Sequence, residues 1–258
     1  MTGSEAASLE QAKDIADLRL VEDADGLVLQ ITNLRHAPVE FRGVPKSSDG
    51  SKEEISILVP PLQTVPVMRL GDGDKESARS RLVEDYSFSS VLGHADAVEA
   101  DLEHRYRLPF AEGKTYRISQ GFNGKRSHTS ERSRYAVDFQ LEIGEPVFAA
   151  RAGTVVRAVD WFCEQGGKAL IDQTNLVIIM HDDGTLANYV HLDHNGVFVH
   201  EGEKVARGQK IGVAGVTGFS SGPHLHFVVR RERDIAIPVK FEGFEDADFS
   251  KNLKVRVP

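Results

Sequence analysis

The stretch TNLVIIMHDDGTLANYVHL, residues 174–192, does most to limit what this chain can fold into. Two short runs rich in apolar and β-branched residues flank Asp182-Asp183-Gly184, a tripeptide suited to a hairpin turn. Runs of that length broken by such a turn pair as antiparallel strands. The rest of the second half repeats the theme. EPVFAARAGTVVRAV, GEKVARGQKIGVAGVTG and PHLHFVVRR are strand-like segments among frequent glycines.

The first half reads similarly from about Leu18 to Leu92. GLVLQITNL and APVEFRGV alternate, EISILVPP runs into a Pro-Pro turn, and TVPVMRL follows; the polar turn GDGDKES then leads to the strand-like RLVEDYSFSSVL. Short strands with turns at this spacing predict a small β-sandwich. The charged segment GHADAVEADLEHRYRLPF ends at Leu108-Pro109, a natural junction. The expected class is therefore all-β and mainly antiparallel. The expected order is a flexible segment 1–15, a β-sandwich-like domain 16–98, a linker 99–108, a second β-domain 109–241 and a tail 242–258.

Composition narrows the partners. The net charge of −8, with both signs interspersed, argues against nucleic acid or an anionic membrane as a partner. No apolar run is long enough to span a bilayer. The opening MTGSEAASLEQAKD has neither a basic n-region nor an apolar core, so no signal peptide is read there. The lone cysteine, Cys163, rules out an internal disulfide and a CxxC zinc site, so a metal would have to use His, Asp or Glu. Beside Trp161 and Phe162, it reads as a small buried hydrophobe.

Asp138 is the most telling residue. It lies inside the apolar strand YAVDFQL, where an unpaired carboxylate is costly to bury. It needs a cation: a metal shared with histidines, or an arginine such as Arg134 or Arg151. Histidines are plentiful in the second half. In HLH, His224 and His226 point to one face of a strand while Leu225 and Phe227 point to the other. Alternation along LANYVHL puts His191 on the face of Tyr189. His128 sits in the loop NGKRSHTSERSR. Zinc held by two histidines and one carboxylate keeps a fourth position open, the catalytic type of site. Histidines left uncoordinated can carry a proton or stabilise an oxyanion. His181 reads as a structural hydrogen-bonder, His194 and His200 as solvated, and Tyr189 as core.

HLH preceded by TGFSSGP, together with NYVHL, YAVDF, GEPVFAARAGTVV and the spaced glycines of VHEGEKVARGQKIGVAGVTG, resembles the zinc peptidases of the lysostaphin and LytM type, peptidase family M23. The resemblance runs over roughly residues 109–240. It implies a compact antiparallel β-fold with a long open groove and bound zinc. The substrate it implies is a peptide bond of bacterial peptidoglycan. Carried over by motif, His128, Asp138 and His226 are the zinc ligands, and His191 and His224 are the catalytic pair. One spacing departs from the family's commonest pattern, which has three residues between the first ligand histidine and the aspartate. Here TSERSRYAV separates His128 from Asp138, and the nearby substitute is His104. The N-terminal region resembles the small β-domain that often precedes this catalytic domain.

The implied function is zinc-dependent cleavage of stem or cross-bridge peptides, in the cell envelope (periplasmic or extracellular), by a chain that has lost a leader. A monomer is expected. The alternative is a catalytically inactive relative that binds and activates a cell-wall hydrolase, which the five filled positions disfavour. A sugar-transport phosphocarrier needs no buried aspartate ligand. A cupin-type oxygenase wants a glutamate about four residues after HxH, and the first acid after His226 is Glu232.

Overall fold

Alternation in GLVLQITN turns Leu27, Leu29, Ile31 and Asn33 inward and leaves Gln30 and Thr32 half-buried. The computed structural model describes residues 15–48, 50–93, 100–231, 234–245, 247, 249 and 253–257. The chain divides into two units, Met1–Asp96 and Ala97–Pro258. The expected segment 1–15 lies outside the described residues except for Ile15, as does the expected boundary at 98/99.

The first unit holds β1 (Ala16–Asp23), β2 (Gly26–Asn33), β3 (Val39–Pro45), β4 (Ile55–Val59), β5 (Thr64–Gly71), helix α1 (Lys75–Asp85) and β6 (Tyr86–Leu92). Its strands form two antiparallel sheets, ordered β1-β2-β5 and β4-β3-β6. Ala16 and Ile31 from one sheet share a core with Val39, Phe41 and Val59 from the other, the packing of a sandwich. Helix α1 replaces the turn and strand start expected over GDGDKES and RLVED. The Asp74 carboxylate caps it, accepting from the amides of Glu76 and Ser77 at 3.0 Å each. Ala78 and Leu82, four residues apart, are its buried positions.

The second unit runs through β7 (Arg105–Tyr106), β8 (Thr115–Gln120), β9 (Val137–Gln140), β10 (Pro146–Phe148), β11 (Gly153–Val159), β12 (Gln165–Gly166), β13 (Leu176–Met180) and β14 (Leu186–Val190). It continues through β15 (Leu192–Val197), β16 (Lys204–Val205), β17 (Lys210–Ala214), β18 (Gly218–Phe219), β19 (His224–Arg231), β20 (Ile235–Ile237), β21 (Lys240–Phe241) and β22 (Lys254–Arg256). A nine-stranded sheet follows the order β16-β11-β13-β14-β19-β9-β8-β22, with β20 also on β19. The smaller sheet β10-β17-β15 is antiparallel, and the short pairs β12-β18 and β7-β21 are parallel. Phe110, Phe139, Tyr189, Phe227, Phe241 and Phe249 fill the core. Among the described residues no helix is long and apolar enough to cross a membrane.

Two segments expected to be peripheral pack into this core. Tyr106 and Leu108, from the expected linker, are buried, and β7 pairs with β21. In the expected tail, Val255 and Val257 alternate with exposed residues, and β22 pairs with β8. Alternation of that kind is enough to add an edge strand.

Register places the site. Asp138 and Val190 both lie opposite His226, and Gln120 lies opposite Asp138. Directly opposed residues share a sheet face, so these polar side chains collect on one face. Val137, Tyr189 and Phe227 take the other.

The β13–β14 turn is held by Asp183. It accepts from the Thr185 amide at 3.0 Å, the Thr185 hydroxyl at 2.7 Å and Arg151 at 2.7 Å. Burial alone would raise its pKa, but these donors bring it to about 2 from the usual 3.8. Its stabilisation is therefore present above about pH 4 and is lost as pH falls toward 2, a change of about 2 kcal/mol. Urea unfolding at stepped pH is expected to show that loss in the wild type. Asp183→Asn should be less stable at pH 7, and the difference between the two proteins should shrink on acidification.

Candidate metal centre

Each functional side chain is aimed by its backbone. His128 sits in the loop after β8, where its amide donates to Gly124 O at 3.0 Å and its ring Nδ1 donates to Gly121 O at 2.8 Å. A carbonyl can only accept, so Nδ1 carries the proton and Nε2 is left for other use. That Nε2 lies 3.2 Å from Asp138 Oδ1. From β19, His226 brings Nδ1 to 2.8 Å from the same oxygen. The ligand atoms of His128, Asp138 and His226 all fall within 4.8 Å of one another. Donors sharing one tetrahedral zinc sit about 3.3 Å apart, so the trio suits a divalent ion with little movement. The donor set, two imidazoles and one carboxylate without sulfur, suits it too.

His224 lies two residues before His226 on the same strand face, with Nε2 at 3.9 Å from Asp138 Oδ1 and Nδ1 donating to Gly222 O at 2.8 Å. His191 reaches the cluster differently. Simple alternation would have sent it into the core beside Tyr189, which is fully buried with its hydroxyl accepting from the Ala150 amide at 2.7 Å. Instead β14 ends at Val190 and His191 takes a left-handed φ of 69°, a conformation L-residues seldom adopt. The turn brings its ring to 4.6 Å from that of His224 and 6.1 Å from that of His226. All five residues singled out in the sequence thus converge.

The electrostatics follow from burial. Burial works against the charged form of Asp138, yet the close approach of His128 and His226, with His224 nearby, holds its pKa well below the usual carboxylate range. Burial, with His224 and His226 nearby, pushes His191 down to about 3, so it is neutral at physiological pH. Neither arginine considered for Asp138 reaches it. Arg151 pairs with Asp182 and Asp183, and Arg134 lies over the Tyr135 ring. His181 is a structural hydrogen-bonder, its Nδ1 donating to Ala152 O at 2.8 Å, and His194 and His200 are exposed. Cys163, expected to be buried, is exposed, because its loop runs outside the sheet.

Several residues had no signal in the sequence. His191 Nδ1 donates to Thr217 O at 2.7 Å and lies 3.3 Å from the Thr174 hydroxyl, which itself donates to Thr217 O at 3.1 Å. The Thr217 hydroxyl accepts from the Asn175 amide at 3.0 Å and donates to Leu192 O at 2.9 Å. Gln120 bonds the second Asp138 oxygen at 3.0 Å.

A family model described as "Peptidase family M23" matches residues 132–238. A protein named "Uncharacterized metalloprotease" from Buchnera aphidicola is 32% identical over 154 residues, 58% of this chain and 37% of that protein. Peptidoglycan DD-endopeptidase ShyA of Vibrio cholerae is 35% identical over 115 residues, 43% of this chain and 24% of ShyA. Lipoprotein NlpD of Yersinia enterocolitica is 41% identical over 98 residues, which are 38% of this chain and 90% of that sequence. The chain belongs to peptidase family M23. The M23 match contains Asp138, His191, His224 and His226 and begins after His128. The family implies a bound metal, and among the described residues the His-Asp-His trio could hold one. Against the Buchnera protein and ShyA the likeness spans about a third and a quarter of their lengths.

Removing the Thr217 hydroxyl should expose how much this network holds. Thr217→Val leaves the Asn175 amide and the Leu192 carbonyl without that partner in a buried site. It is expected to lower unfolding free energy by about 1–3 kcal/mol in denaturant titration.

Proposed function

We propose that this M23 chain is a zinc-dependent endopeptidase that cleaves stem or cross-bridge peptides of bacterial peptidoglycan, working in the cell envelope. The observation that carries the reading is the convergence of three ligand atoms, within 4.8 Å, beside two further histidine rings. Peptidase activity is assigned to residues 109–241, with 16–98 as a separate β-domain. The name of ShyA supports a peptidoglycan substrate.

His128 Nε2, Asp138 Oδ1 and His226 Nδ1 are the ligand atoms in this reading. The chemistry a divalent ion supplies in such a position is Lewis-acid polarisation of the scissile carbonyl and acidification of a water. His191 and His224 do the proton work. Each donates its Nδ1 proton to a backbone carbonyl, so each keeps a lone pair on Nε2 to take a proton. Once protonated, the same nitrogen can donate to the oxyanion or to the leaving amine. The side chains of His224 and His226 remain 17% and 15% exposed, which leaves the cluster accessible to a polymeric substrate.

Mass spectrometry of fragments released from defined peptidoglycan, alongside metal analysis, tests this. The wild type is expected to hold zinc and release peptide fragments. His224→Ala should keep zinc and lose cleavage by about 10²–10⁴-fold, whereas Asp138→Ala should lose the metal. Full cleavage by His224→Ala would remove that residue from the mechanism. A zinc-loaded wild type that releases no fragments would instead identify a non-catalytic relative acting on a partner hydrolase.

A further inference from the structure

We infer that Gln120 is a positioning residue for the metal centre. It selects which Asp138 oxygen faces the histidines and fastens the His128 loop to that carboxylate. The inference rests on reading the His128–Asp138–His226 cluster as a metal site.

The backbone puts Gln120 there by an irregularity. Ile118 lies opposite Phe139 but Gln120 lies opposite Asp138, so β8 advances two residues while β9 advances one. Regular pairing would have set Ser119 against Asp138 and turned Gln120 toward the core. The extra residue is a bulge, a device that re-aims a side chain.

The amide orientation is determined by its partners. Gln120 Oε1 accepts from the Arg126 amide at 3.1 Å. A backbone N–H only donates, so the carboxamide oxygen must lie on that side and the NH₂ on the other. Nε2 then donates to Asp138 Oδ2 at 3.0 Å and to the Ser127 hydroxyl at 2.7 Å. With Oδ2 occupied, Oδ1 is the oxygen that meets His128 and His226, at 3.2 and 2.8 Å. One side chain thereby joins the ligand carboxylate to Arg126 and Ser127, immediately before His128. The nine residues between His128 and Asp138 need not hold the two together, because Gln120 links them directly.

Gly124 makes room for it. A Cβ at this position would lie 2.3 Å from Gln120 Cγ and 2.7 Å from Cδ. The glycine is outside the left-handed region, so its value here is space. An alanine would push the glutamine off Asp138 without removing it.

Residues that hydrogen-bond a ligand from behind are worth about 10–100-fold in metal affinity. Metal-free full-length protein titrated with zinc against a chromophoric chelator gives the readout. Gln120→Ala is expected to bind zinc about 10–100-fold more weakly than wild type. Gly124→Ala should weaken it in the same direction through the displaced amide. The double variant should be no weaker than Gln120→Ala, since the truncated side chain has no Cγ to collide with. Cobalt(II) substitution adds a second reading. Freeing Oδ2 lets both carboxylate oxygens approach the ion, so visible absorption should fall as coordination rises above four. Binding by Gln120→Ala within about two-fold of wild type, with an unchanged cobalt spectrum, would overturn the positioning role while leaving the metal site standing. Additive losses in the double variant would overturn it as well. A wild type that binds no zinc would overturn the site itself and this role with it.

Discussion

A carboxylate in the middle of an apolar strand governs this structure. Asp138 stands between Val137 and Phe139, both fully buried, and is itself 7% exposed. An ion in such a place carries a penalty of several kcal/mol unless it is paired and hydrogen-bonded. The fold answers with three imidazoles and a primary amide, while the nearby arginines are engaged elsewhere. A guanidinium would have neutralised the site permanently. Imidazoles at this spacing leave room for a divalent ion to do so, which is the difference between a structural ion pair and a metal centre.

The sheet provides precision because its two faces are strictly divided. Leu225 and Phe227 are locked into the core, which holds His224 and His226 on the opposite face without any freedom to rotate the strand. Two departures from regular strand geometry serve the site. The bulge in β8 turns Gln120 toward Asp138, and the left-handed His191 leaves β14 at the point where regular continuation would bury it. Strain of that kind persists only where the surroundings enforce it. Here the Thr174–Thr217–Asn175 network does so.

Ring tautomers are set mainly by main-chain carbonyls. Gly121, Thr217 and Gly222 each take an Nδ1 proton, from His128, His191 and His224 respectively. Backbone acceptors cannot be lost by substitution of their own side chains, so the tautomers stay defined as long as the loops keep their shape. M23 membership and this arrangement point the same way, and the family match, residues 132–238, begins just after His128.

The sequence by itself determined the all-β class, the 182–184 turn, the shared face of His224 and His226 and the awkwardness of Asp138. These depend on period-two alternation and on the cost of burying charge, and both are local properties. It misjudged α1, where one capping aspartate outweighs a strand-like run, and the 242–258 segment, whose alternation was too short to stand out. Only the tertiary structure decided how His128 points, why His191 leaves the core face, and that Gln120 stands behind Asp138 and Thr217 behind His191. Those outcomes turn on register between strands far apart in the chain, on one bulge and on one left-handed residue. A single step of register moves a side chain to the other face of a sheet, and no local pattern carries that information.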